Sequence, residues 1–259
     1  MDKSWLSRLF KQRPFHTGLV LGGGGTRGFA HLGVIQALLD KGVKIDAISG
    51  VSAGAIVGAL FASGMNTKEI METLKDNDLM DLASLQFPKK GLMGLSKLED
   101  LIRSNLSTTS FKELEIPFWV TVSNLNKGKV EYHNSGDLVK KVMASASIPI
   151  LFSPIEIDGT TYVDGGLFDN LPVAPLKEKC KRIIGVNISP VDEIGQFENI
   201  MEIAARTFQL NDKSNTRKNK KQCSVYIEPP ELCGFGLLDT SNNQRLFDIG
   251  YEYTKALDL

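Results

Sequence analysis

Three short stretches of this chain carry groups that could do chemistry together. Gly50-Val51-Ser52-Ala53-Gly54 is a GxSxG pentapeptide between the strand-like "KIDAIS" and the helix-like "AGAIVGALFA". That is the setting of a nucleophile elbow, where a tight turn presents the serine at its tip and the flanking glycines let strand and helix pass without Cβ clashes. Asp164-Gly165-Gly166 directly follows "TTYV". Asp-Gly is ordinary turn chemistry, but Asp158-Gly159 already supplies the hairpin turn a few residues earlier. Asp164 is thereby left at a strand end, as the carboxylate to pair directly with Ser52. The third stretch, "LGGGGTRG" from Leu21 to Gly28, brings bare backbone N–H groups to the start of a helix. Such groups bind an anion, either a phosphate or the oxyanion of a reaction intermediate. A serine activated by a base is the signature of covalent acyl transfer.

The histidines narrow the type of serine chemistry. They are His16, His31 and His133, and none follows the acid candidate. The α/β-hydrolase order places the histidine last, so a Ser–His–Asp triad is not expected. His31 falls inside a helical stretch and reads as a core or sheet-packing residue, while His133 ends a strand among polar residues and reads as solvated. Ser145 and Ser147, before Pro149, read as structural rather than nucleophilic. Arg27 reads as a brace that holds the glycine loop by hydrogen bonds, with contact to a phosphate as the alternative.

A rival enzyme reading is a Rossmann-type oxidoreductase, because Gly23 to Gly28 satisfies GxGxxG between a strand and a helix. That reading needs an acidic residue about twenty positions on, at the end of the second strand. Asp40 falls at a helix end and Asp46 at the start of the strand, out of reach of a ribose. A nucleotide-hydrolase phosphate loop fails as well, since no Gly-Lys-Ser/Thr comes after the glycines.

The elements that would position these groups alternate strand and helix. Strands are expected at 16–21, 43–49, 117–122, 129–133, 153–157, 160–163, 182–188 and 224–228. Helices are expected at 29–39, 53–62 and around 244–257, with further ones starting at Asn66 and Ser96, each with a glutamate three residues on as in a capping box. Such alternation predicts a three-layer α/β/α fold around a largely parallel sheet. A single domain over 17–259 with an N-terminal tail over 1–16 is the simplest division. Trp5, Leu6, Leu9 and Phe10, with basic neighbours, could make that tail an interfacial anchor. The irregular stretch from Asp76 to Leu95 reads as a surface loop.

Composition sets the outer limits. Basic and acidic residues number 30 each in 259 residues, so no global field draws the chain to nucleic acid. The basic run from Lys213 to Lys221 lacks interleaved aromatics and reads as a solvated helix face, or secondarily as a contact for an anionic membrane. The three cysteines form no CxxC and argue against a disulfide framework. With no signal-peptide pattern and no long apolar span, a cytoplasmic location is expected, with a peripheral position at the inner membrane surface as its variant.

Taken in order, "GGGGTRG", "GVSAG" and "VDGGLFDNLPV" resemble the patatin-like phospholipases, lipid acyl hydrolases with a Ser–Asp dyad. "HLGVI" and "SASIPILFSPI" are in the same style, and the likeness runs over about 18–173. The resemblance implies Ser52 as nucleophile, Asp164 as base, and the N–H groups of Gly23, Gly24 and Gly25 as an oxyanion hole. Arg27, Gly28, Gly50, Gly54, Gly165 and Gly166 would support these groups. It further implies a carboxylic ester hydrolase acting on lipid or fatty acyl esters without metal or cofactor. A non-catalytic or partner-regulated adaptor on the same scaffold is the reading from another class, and it gives the intact Ser52, Asp164 and glycine loop no joint task.

Overall fold

Eight strands form one mixed sheet in the computed structural model, which describes residues 13–75, 95–191, 193, 196–197, 200–211, 213–237 and 241–259. The N-terminal apolar residues and positions 76–94 of the irregular stretch lie outside the described residues. The strands are β1 (Phe15–Leu21), β2 (Ala47–Gly50), β3 (Phe118–Asn124), β4 (Lys129–His133), β5 (Ile155–Ile157), β6 (Thr160–Asp164), β7 (Cys180–Val186) and β8 (Val225–Ile227). Their order is β5-β6-β3-β2-β1-β7-β8, with β4 also on β3. The run β3-β2-β1-β7-β8 is parallel. β4, β5 and β6 are antiparallel additions at one side.

The helices are α1 (Phe29–Asp40), α2 (Ala53–Ala62), α3 (Thr67–Lys75), α4 (Ser96–Asn105), α5 (Leu138–Ser145), α6 (Ala174–Lys177), α7 (Ile200–Asn211), α8 (Lys213–Lys220) and α9 (Asn243–Lys255). Strand alternation sorts the core into two layers. Leu19 and Leu21 point into a large cluster with α1, α2, α5 and α9, while Val20 points the other way with Trp119, Leu176 and Ile183. Both faces of the parallel strands are thus covered, which is why "GLVL" and "IIGV" are apolar throughout. The three-layer α/β/α arrangement expected from the sequence is present.

Local signals resolve differently from place to place. Asn66 and Glu69 form the expected reciprocal box, with Glu69 N–H donating to Asn66 Oδ1 at 3.0 Å and Asn66 N–H to Glu69 Oε2 at 2.9 Å. Ser96, by contrast, lies inside α4, which begins after Leu95 without a side-chain cap; Glu99 pairs instead with Arg103 at 2.9 Å. Asp158 and Gly159 both have positive φ, 50° and 72°, as a two-residue hairpin turn requires.

The two edges of β3 bring the motif-bearing strands together. β4 runs along one edge from Val120 to Asn124, so β2 and β6 must share the other. Gly50 at the end of β2 faces Val120, and Asp164 at the end of β6 faces Val122. The two strands therefore meet end to end, and the turn after Gly50 is delivered beside Asp164.

Candidate active site

Ser52 leaves β2 in a turn with φ 54° and ψ −125°, a conformation that non-glycine residues rarely adopt, and α2 begins at the next residue. The neighbouring glycines make this turn sterically possible. A Cβ on Gly50 would fall on the Gly54 carbonyl, and one on Gly54 would fall on the Leu21 carbonyl. Ser52 N–H donates to Ser145 Oγ at 2.9 Å, and Ser145 Oγ donates to the Thr121 carbonyl at 2.7 Å. Ser145 thus clamps the elbow to β3. The Ser147 hydroxyl donates to the Met143 carbonyl at 2.8 Å, and the Ser147 carbonyl accepts from Asp164 N–H at 2.9 Å.

Asp164 is fully buried, and Oδ1 accepts from Gly166 N–H at 2.8 Å. Burial pushes its carboxyl up to about 7, against the opposing pull of Ser52 and Gly166. The Ser52 hydroxyl is near enough to act on that carboxyl, yet Oδ2 accepts no well-aligned hydrogen bond. The pair is adjacent but not locked.

The glycine loop leaves β1 and enters α1 through a short helical turn over Gly25–Gly28. Gly22 N–H is taken by Val186 O, and Gly23 N–H reaches Asn170 O only at 3.4 Å. Gly24 and Gly25 N–H donate to nothing among the described residues. Gly25 has φ 58°, and a Cβ there would fall on the Leu237 carbonyl. Thr26 N–H donates to that same carbonyl at 2.9 Å, and Arg27 Nε donates to the Phe235 carbonyl at 2.9 Å. Residues 235–237 are thereby strapped across the loop. Arg27 is buried and lowered to about 10, chiefly by desolvation, so it stays charged at neutral pH. Its side chain ties the glycine loop to the Phe235 carbonyl.

Ser52, Gly23, Gly24, Gly25 and Asn170 line one cavity of about 20 Å³, covered by Ile148, Phe208 and Leu237. That volume holds about one water. A second cleft of about 490 Å³ adjoins it and shares Asn170, Ser189 and Gln209.

The histidines are committed elsewhere. Buried His31 has its pKa pushed down to about 4 by desolvation, and its neutral ring donates from Nε2 to the Gly22 carbonyl at 2.7 Å. His133 is half-buried rather than solvated, because β4 packs its ring edge-on against Tyr162, with Glu131 Oε2 3.3 Å away. The acids of the dinucleotide reading are equally engaged. Asp46 accepts from Thr17 N–H at 2.9 Å, and Asp40 accepts from the Tyr251 hydroxyl at 2.9 Å.

A family model of patatin-like phospholipases matches residues 19–177, more than half of the chain and all three motifs. The chain belongs to the patatin-like phospholipase family. Lysophospholipase NTE1 of Meyerozyma guilliermondii is 28% identical over 273 residues, covering 93% of this patatin-like chain and 19% of that protein. An uncharacterized NTE family protein of Mycobacterium tuberculosis is 35% identical over 160 residues, covering 61% of this chain and 44% of that protein. The chain spans less than half the length of these curated relatives. VipD from Legionella pneumophila shares the patatin-like fold at a TM-score of 0.53 and 19% identity, over 93% of this chain and 66% of that one. The type III effector ExoU does so at 0.50 and 18%, over 93% and 52%.

Sequence reasoning passed over two contributors to this patatin-like site. Asn170 closes the cavity from within "DNLPV", and its amide oxygen leaves no room for a Cβ on Gly23; an asparagine amid that glycine-rich motif was the available signal. Phe208 comes from α7, and nothing local in "IMEIAARTFQL" announces a cover.

Proposed function

We propose that this chain is a serine lipid acyl hydrolase acting through a Ser52–Asp164 dyad. One observation carries the reading. A serine on a strained elbow and unbonded N–H groups line one cavity, and a buried carboxyl lies beside that serine.

In the proposed reaction Asp164 takes the Ser52 proton as Oγ attacks the acyl carbonyl carbon. The oxyanion forms against the glycine loop, with Gly24 and Gly25 as principal donors and Gly23 able to exchange its long bond to Asn170. Loss of one donor from such a hole typically costs about 10²–10³ in rate. Collapse breaks the ester C–O bond, and Asp164 returns the proton to the leaving alcohol. Water then attacks the acyl-enzyme with Asp164 again as base, the Ser52 Oγ–acyl bond breaks, and Asp164 returns the proton to Oγ as the fatty acid leaves. Glycerolipid acyl esters are the substrate class, in keeping with the names of the NTE lysophospholipase relatives.

Covalent labelling with a lipid-like fluorophosphonate tests the assignment. Wild-type protein should carry the label on the Ser52 peptide, Ser52→Ala none, and Asp164→Asn far less. Label on Ser145 or Ser147, or none on folded wild type, would remove Ser52 as nucleophile.

A further inference from the structure

His31 is fully buried, lines no part of the Ser52 cavity and has no step in the proposed acyl transfer. Its place in the fold ties it to the glycine loop all the same. It is the third residue of α1, and side chains on a helix lean toward the N-terminus. The ring therefore reaches back over the turn at Gly25–Gly28, and Nε2 meets the Gly22 carbonyl at 2.7 Å. A carbonyl oxygen only accepts, so the ring proton sits on Nε2. Desolvation keeps the ring neutral, with this single donor, at any pH near 7.

The Gly22–Gly23 peptide is trans, so its oxygen and its N–H point in opposite directions. Fixing the Gly22 oxygen thus fixes the Gly23 N–H. The oxygen is seated against the first turn of α2, where a Cβ on Gly54 would come within 2.7 Å of it. The other end of the peptide belongs to the glycine that abuts the nucleophile, since a Cβ on Gly23 would stand 3.1 Å from Ser52 Cβ. The Gly23 N–H bond to the Asn170 carbonyl is long, 3.4 Å, and holds the plane weakly. With glycine on both sides, the peptide can turn over without a Cβ clash of its own. Turned over, it would present a carbonyl oxygen where an oxyanion must form.

On the hydrolase reading, we propose that His31 is a positioning residue of the oxyanion hole, whose Nε2–H locks the Gly22–Gly23 peptide with its N–H toward Ser52 and its carbonyl away. The position then demands a buried neutral donor of this reach. Glutamine supplies one from its side-chain amide, methionine of similar length supplies none, and asparagine carries its amide one bond short.

Three variants and two readouts test the lock. With a dispersed short-chain ester, kcat of H31M should fall about 10²-fold while KM stays within about twofold, the pattern of an interaction made only in the transition state. H31Q should recover to within about fivefold of wild-type kcat. H31N, with its donor out of reach, should behave as H31M does and replaces it should H31M not fold. A packing role alone would lower activity in step with the urea midpoint in all three, and that outcome, or wild-type kcat in H31M, overturns the proposal. Crystal structures of the variants decide it without turnover. The Gly22–Gly23 peptide should be turned over in H31M and unchanged in H31Q; the wild-type orientation in both overturns the lock. A wild type that hydrolyses no acyl ester would remove the hydrolase reading, and the peptide orientation would still decide the lock.

Discussion

At the scale of single residues the proposed dyad turns on how an aspartate could serve as base for a hydroxyl. A free aspartate, with a pKa near 3.9, is too weak to match that task at neutral pH. Full burial at the end of β6 raises Asp164 to about 7, while the Gly166 N–H keeps Oδ1 occupied and leaves Oδ2 for the serine proton. Because the ionised form is the base, kcat/KM should rise with pH and level off above about 7. Stability should respond with the opposite sign. The folded chain holds this proton more tightly than the unfolded one, so the contribution is complete below about pH 4 and lost as pH rises through about 7. Asp164→Asn lacks the titration and retains an oxygen for Gly166. Its turnover should fall by about 10²–10⁴-fold, while its urea midpoint gains on wild type between those two pH values. A pH-independent difference in midpoint would mean that Asp164 does not titrate in this range.

At the scale of elements the site is an intersection of strand ends under a cover. The elbow was readable because its needs are local: Gly50, Ser52 and Gly54 lie within one turn, and α2 starts and stops where its small residues and Gly64 indicate. The cover was not readable. α7 reaches the site from far along the chain, with Asn211 donating to the Leu167 carbonyl at 2.5 Å and Phe208 lying over Gly166. Arg27 likewise bonds a carbonyl 208 positions away in a segment without periodic pattern. The expected strand from Val43 shortens to Ala47–Gly50 because Val43 N–H turns back to the Leu38 carbonyl at the end of α1. The cavity at Ser52 has room for about one water, so on the proposed hydrolysis an acyl chain would need a lining side chain such as Phe208 or Leu237 to move. Phe208→Ala should weaken the cover by about 1–2 kcal/mol, and fluorophosphonate labelling of Ser52 should then quicken by about tenfold. Slower labelling with unchanged stability would make Phe208 part of the acyl-binding wall instead.

At the scale of the whole molecule, the same cover bears an apolar outer surface. On α7, Ile200 is 78% exposed, Ile203 49% and Leu210 42%, while Phe208 on the same helix turns inward. Ile150, two residues after the cavity-lining Ile148, is 66% exposed and has φ 74°, an outlier for a β-branched residue. Backbone strain that presents an isoleucine to solvent calls for a functional account, and a lipid surface supplies one. We propose a peripheral contact through this face, with exposed Lys218 and Lys221 adding attraction to anionic lipid; no helix among the described residues is long and apolar enough to cross a membrane. Each such charge near the surface contributes about 1 kcal/mol, and each large apolar side chain up to about 1.5–3 kcal/mol if fully buried. Ile200→Gln with Ile203→Gln should therefore weaken partitioning onto phosphatidylglycerol vesicles by about tenfold or more, measured by co-sedimentation. Turnover of a dispersed short-chain ester should stay at the wild-type level, because neither side chain lines the Ser52 cavity. Raising salt should loosen wild type through its lysines, leaving an apolar remainder that the double variant lacks. If the variant sediments as wild type does, α7 does not meet the bilayer, and the cover over Ser52 must open by internal motion alone.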